Sequence, residues 1–154
     1  MNSSAKIVSI TSTPAGVERH PETHYARTPV AEVTLLEKRG LKNDLKGKGG
    51  VRQINVMRAE TLAELATEGF KTAPGEMGEQ LVIAGLAPEA FTEGTTLQIG
   101  DSAVIRIGIE RKGCDRFEAI QGRTKESAAG RLGILAQVVA GGVIRVGDKV
   151  LSRE

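Results

Sequence analysis

A chain of 154 residues with 40% hydrophobic and 26% charged side chains fits one globular domain, 1–154, and argues against disorder or a membrane protein. Tryptophan is absent and aromatic residues make up 3%, so the core has to come from Val, Ile, Leu and Ala. Stacking platforms for single-stranded nucleic acid are hard to assemble from this set, and no nucleic-acid partner is expected. The formal net charge of +2 is too small to argue for a polyanionic partner, so any anion site has to be local.

The opening Met1-Asn2-Ser3-Ser4-Ala5-Lys6 leads into a strand-like segment without the layout of a signal peptide. No apolar run reaches membrane-spanning length, so no membrane partner and a cytoplasmic location are expected. Strands are predicted at 6–11, 32–36, 53–57, 80–83, 95–99, 104–109, 134–139 and 143–146. These segments are short, rich in β-branched residues and separated by Gly, Pro, Asn or Asp. Many of the 19 glycines sit at their edges, where tight turns need positive φ, and the pattern favours a closed, barrel-like sheet.

Between the third and fourth strands, Leu62, Leu65 and Ala66 recur at helical spacing, which predicts a helix over 59–68 with Gly69 as its stop. Gly100-Asp101 reads as a hairpin corner, and so does Gly147-Asp148, between 143–146 and Lys149-Val150-Leu151. A second, shorter helix is predicted from Asp115. There Asp115 and Glu118 have capping-box spacing, Phe117 and Ile120 face inward, and Gly122 follows. Residues 124–130 are open to either a helical turn or a loop.

Four groups of residues bear on chemistry. Cys114, the only cysteine, rules out an intrachain disulfide and fits a reducing compartment. Arg111, Lys112, Arg116 and the start of the predicted helix favour its thiolate, while Glu110 and Asp115 oppose it. A thiolate there would hold sulfane sulfur as a persulfide or ligate a soft metal; the alternative is a small buried hydrophobe. The Gly- and Lys-rich loop at 40–53 offers backbone N–H groups and cations suited to phosphate, or is simply a solvated loop. It has neither the Walker A nor the dinucleotide-binding spacing. Glu76 and Glu79 flank Gly78 and would do acid–base work only if burial pushed their pKa values apart; otherwise they are exposed acids on a turn. His20 and His24 are four apart, but Pro21 and the shortage of other ligands argue against zinc. A cysteine hydrolase would need one of these histidines to reach Cys114.

Taken in order, the loop carrying Asp44 and ending in Arg52-Gln53, the 59–68 helix and Gly75-Glu76-Met77-Gly78-Glu79-Gln80-Leu81 form a recognisable series. It continues through Gly85-Leu86, the Gly100 turn, Cys114 and the closing Gly141-Gly142-Val143-Ile144-Arg145-Val146-Gly147-Asp148-Lys149-Val150. Over residues 9–150 this series resembles the MOSC domain, the C-terminal domain of molybdenum cofactor sulfurases, in its stand-alone bacterial form. The resemblance implies a mostly β, barrel-like fold with one or two short α-helices. It also implies a cysteine that either carries sulfur for maturation of the molybdenum cofactor or of metal–sulfur clusters, or binds the molybdenum of a molybdopterin cofactor. Related domains occur in the sulfurases and in amidoxime-reducing molybdoenzymes.

Asp44, Arg52, Gln53, Gly78, Glu79 and Cys114 match positions of the family pattern. With Arg111, Lys112 and Arg116 to neutralise cofactor charge, they make up the expected pocket, and a sulfur donor or a molybdoenzyme is the expected partner. Two positions depart from the pattern: Leu45 and Lys46 stand where a His is expected, and Gln80 stands where Asn is usual. The aminotransferase-like domain of the sulfurases has no counterpart here. No pyridoxal phosphate lysine site is therefore expected in this chain, nor any generation of sulfane sulfur from cysteine. The rival reading is a non-catalytic anion- or partner-binding module in which Cys114 is structural.

Overall fold

The structure is a computed structural model that describes residues 5–13, 27–44, 50 and 53–153. His20, His24, Arg52 and the 45–49 part of the Gly-rich loop lie outside the described residues.

The elements run in the order β1 (Lys6–Ser12), β2 (Thr28–Pro29), β3 (Glu32–Leu36), β4 (Gly40–Leu41), β5 (Ile54–Arg58), α1 (Ala59–Thr67), β6 (Leu81–Ala84) and β7 (Thr96–Ile99). They continue with β8 (Ala103–Glu110), α2 (Asp115–Gln121), β9 (Ile134–Ala140), β10 (Gly142–Arg145) and β11 (Val150–Arg153). An eight-stranded sheet has the order β11-β7-β8-β9-β5-β6-β1-β2, and a three-stranded sheet the order β10-β3-β4. Among the described pairs only β5 and β6 are parallel, with Val56 opposite Leu81. A parallel pair needs a crossover, and α1 supplies it.

The large sheet curls back on itself. The Ile7 N–H donates to the Asp148 carbonyl (2.9 Å), the Gly147 N–H to the Ile7 carbonyl (2.8 Å) and the Val150 N–H to the Ala5 carbonyl (2.9 Å). Those bonds join the β11 end to β1 and leave little open edge, so the fold is mostly β and barrel-like, as the sequence leads one to expect. Inside it, Ile7, Ile54, Leu81, Leu97, Ile105 and Val138, from six different strands, are sealed from solvent. No helix among the described residues is long and apolar enough to cross a membrane.

A second apolar cluster forms outside the barrel from Met57, Leu65, Phe70, Met77, Phe117, Ala128 and Leu132. It exists because α1 and α2 both turn an apolar stripe inward: Leu65 from one, Phe117 and Ile120 from the other. The rings of Phe70 and Phe117 stand 6.4 Å apart in a tilted arrangement. Arg131 straps this cluster to α1 by donating to Glu64 (3.0 Å) and to both carboxylate oxygens of Glu68 (2.6 and 2.9 Å).

Two local expectations change. Gly147-Asp148 is not a hairpin corner, because β10 pairs with β3 while β11 pairs with β7. A tight Gly-Asp turn fixes the local reversal but not the strand each arm joins, and here it hands the chain from one sheet to the other. The capping box does not form: the N-cap of α2 is Cys114 rather than Asp115, no side chain caps the helix there, and the Glu118 carboxylate accepts the Lys125 N–H (2.9 Å) instead. Of the two alternatives open for 124–130, the helical turn forms, as a 3-10 turn at Lys125–Ala128.

The Gly100 corner does join an antiparallel pair, β7 and β8. Gly122 ends α2 in the left-handed conformation, φ 67°, with open space where a Cβ would stand. Gly122→Ala should therefore cost only the conformational strain, about 1 kcal/mol, read as a small shift of the urea midpoint.

Candidate functional site

β8 leaves the barrel through an irregular register between Ile107 and Glu110, and its continuation carries the candidate chemistry. The Arg111 N–H still donates to the Gly133 carbonyl (2.9 Å), holding the chain beside the approach to β9. At Gly113 an added Cβ would lie 2.5 Å from the Lys125 Cβ and 3.2 Å from the Leu132 Cδ1, so only glycine lets the chain pass this close. Cys114 follows, exposed, with its carbonyl accepting the Glu118 N–H (3.2 Å) at the first turn of α2.

The cations predicted around Cys114 occupy different environments. Arg111 is 5% exposed, and its Nη1 donates to the carbonyls of Met77 (2.7 Å) and Leu132 (3.2 Å). Lys112 points into solvent with its side chain 87% exposed, 4.0 Å from Glu110, and Arg116 is half-buried. Lys125 adds a further cation, 3.6 Å from the exposed Asp115. Exposed pairs of this kind are worth little and stay exchangeable with a ligand.

Asp44, Gln53, Gly78 and Glu79 form a different kind of place, a buried polar network at the end of the barrel. The Asp44 carboxylate accepts the Thr13 N–H (2.6 Å) and the Gln80 Nε2 (3.0 Å). The other end of Gln80 accepts the Asn55 N–H (2.9 Å), and Asn55 Nδ2 donates to the Gly78 carbonyl (2.8 Å), which Arg27 Nε also reaches (3.1 Å). The Gln53 side chain takes the Val138 N–H (2.9 Å) and donates to the Gly50 carbonyl (2.7 Å), completing backbone bonding where β5 begins. Glu79 is 1% exposed, and its two oxygens accept the N–H groups of Gly75 (2.7 Å) and Met77 (3.2 Å). Burial pushes its carboxyl pKa up, opposed by the N–H groups of Gly75, Glu79 itself and Met77 and by the charge of Arg27.

The two places meet at Met77. Its N–H donates to Glu79 and its carbonyl accepts from Arg111, so the buried network reaches the Cys114 segment through one backbone residue.

Sequence reasoning did not single out Asn55, Thr13, Arg27 or Gln121. Two of them left a signal: Asn55 interrupts an otherwise apolar strand, and Gln121 lies one turn beyond Phe117 on the inward face of α2. The departure at Gln80 has a physical role, since its side chain spans from Asn55 to Asp44. Asn55 Oδ1 is buried with no hydrogen-bond partner among the described residues, and it lies where a Cβ on Gly133 would come within 2.7 Å.

Residues 43–151, which include both places, match the MOSC domain. The chain belongs to the MOSC family. Several solved structures share its fold. YuaD from Bacillus subtilis superposes with a TM-score of 0.77 at 18% identity, over 96% of this chain and 94% of that one. YiiM from Geobacillus stearothermophilus gives 0.75 at 20% identity, over 97% and 75%. YiiM from Escherichia coli gives 0.69 at 19% identity, over 100% and 70%. No curated protein matches the sequence closely. The MOSC family is linked to the molybdenum cofactor, and the donors around Cys114 suit that group. The exposed thiol is a soft ligand, and one protein thiolate fits a metal that brings its other donors with it.

Proposed function

We propose that this MOSC protein binds the molybdenum cofactor and that Cys114 supplies the protein ligand to the metal. The observation that carries the reading is the exposed Cys114 sulfur on a tightly held strand-to-helix junction within a MOSC fold. When bound, the cofactor would supply the redox or atom-transfer chemistry. The chain's own residues bind and orient: Cys114 offers the thiolate, and Lys112 and Arg116 meet the anionic charge of the pterin phosphate. Arg111, Glu79, Asp44 and Gln53 act as the frame underneath. The reading sets the protein in the cytoplasm, where a lone thiol stays reduced, with a molybdoenzyme as its partner.

Exposure of the sulfur also favours a second reading, sulfur carriage. The Cys114 thiolate would attack the terminal sulfur of a donor persulfide, forming a new S–S bond on Cys114 and releasing the donor as its thiolate. Mass spectrometry of the native protein together with metal analysis separates the two. Molybdenum and pterin that co-purify with the wild type and fall about tenfold or more in Cys114→Ser establish ligation. One extra, cyanide-labile sulfur on Cys114 with no molybdenum establishes carriage. Cofactor retained in full by Cys114→Ser removes Cys114 from the chemistry and leaves a binding module.

A further inference from the structure

We propose that the loop at residues 70–79 is the positioning device of the Cys114 thiol, with Gln121 as the residue that locks α2 onto it and Glu79 as the pin beneath. The inference rests on the reading that Cys114 is the working atom, and goes beyond it by naming what holds that atom in place. Gln121 is 7% exposed, and its carboxamide treats Lys71 as a neighbouring strand would. Oε1 accepts the Lys71 N–H (2.7 Å) and Nε2 donates to the Lys71 carbonyl (2.9 Å). The same Nε2 faces the Glu76 carbonyl (3.4 Å) and the Met77 sulfur (3.3 Å).

On the other side of Cys114, Arg111 grips the Met77 carbonyl at 2.7 Å. Both anchors therefore end on one loop, with the thiol between them in the sequence. The loop has its own fastening: the Glu79 carboxylate holds the N–H groups of Gly75 and Met77, and the Gly78 carbonyl is held by Asn55 and Arg27. α2 has only seven residues, too few to be stable alone, so its place and that of its N-cap come from these contacts and from Phe117. The result is an exposed sulfur on an immobilised backbone. That combination suits a group that has to meet its partner in one geometry, because orientation fixed in advance need not be found during the encounter. Gln121, Arg111 and Glu79 are positioning residues, acting on Cys114 through backbone.

Because Cys114 is the only cysteine, a nitroxide attached through a thiosulfonate reports on that one place, and iodoacetamide reacts with one thiol. In the full chain, Gln121→Leu is expected to sharpen the nitroxide spectrum and change the native-state alkylation rate about fivefold or more, reflecting loss of the paired hydrogen bonds. Glu79→Gln is expected to move both readouts the same way by less. Ile99→Val, a cavity inside the barrel, is expected to move neither; if it moves them as far as Gln121→Leu does, general loosening explains the effect and the proposal fails. Wild-type spectra and rates in a folded Gln121→Leu protein overturn it as well. Should Gln121→Leu not fold, Gln121→Glu serves, since it keeps an acceptor for the Lys71 N–H and loses the donor to the carbonyls. Neither readout involves molybdenum or a persulfide. A chain that carries neither, yet shows these shifts, retains the positioning device and loses the cofactor reading.

Discussion

Arg111→Met is expected to lower the free energy of unfolding by about 3 kcal/mol, because it leaves two buried carbonyls without their donor. The methionine replaces the apolar stem of the side chain and none of its N–H groups. Arg111 is 5% exposed, and its Nη1 serves the carbonyls of Met77 and Leu132, one from each segment packed against the Cys114 strand extension. Water cannot readily replace the guanidinium there, so much of the desolvation penalty of those acceptors should appear in the measurement. Lysine should restore only part of the loss, since a single ammonium on a flexible stem does not reproduce the planar fork. Urea unfolding at pH 7 checks this, with the midpoint falling and the slope unchanged. An unchanged midpoint would show that Arg111 does not bear on the fold and would return it to the set of cations available for ligand charge.

That expectation differs from the one the sequence supports, and the difference marks what was legible. β3, β7 and the two helices follow from local signals: alternation or helical spacing, with glycine at the ends. The Gly-Asp corner at 147 has the same local signal as the one at 100, yet its arms pair with strands more than forty residues away from it in sequence. Cys114 could be found from the chain because it is the only cysteine and sits at a recognisable place in a family pattern. The inward turn of Asp44, Gln53, Glu79 and Arg111 could not be found that way. Whether a polar side chain faces solvent or bonds backbone depends on which distant carbonyl or N–H lies unpaired beside it, as Gln121 does with Lys71 and Gln53 with Val138. Only the assembled barrel end supplies those groups, so the backbone and side-chain partners of Asp44, Gln53, Glu79 and Arg111 were not legible in the sequence.

Glu79→Gln is expected to destabilise the protein by about 2 kcal/mol below pH 4.5, by a gap that narrows as the pH rises. Both Glu79 oxygens accept a backbone N–H, from Gly75 and Met77. A glutamine can present an oxygen to only one of them and turns an NH2 toward the other, leaving a buried donor unsatisfied. A protonated carboxyl is less impaired, since its hydroxyl oxygen still accepts. The sign of the pH dependence follows from burial, which raises the folded-state pKa of Glu79 above its ordinary 4.5 despite the opposing N–H groups and Arg27. The folded protein then binds the Glu79 proton more tightly than the unfolded chain does. Its contribution to stability is fully present below pH 4.5 and is lost as the pH climbs through the raised folded-state value. Glutamine does not titrate, so the variant lacks this decline and the two stability curves approach one another toward neutrality. Urea unfolding of both proteins from pH 4 to pH 7 reads the gap directly, and taking the difference cancels the titration of every other carboxylate. A gap that instead widens with pH would mean that the N–H groups of Gly75 and Met77 outweigh burial. Glu79 would then hold its loop as a favoured anion rather than as a strained one.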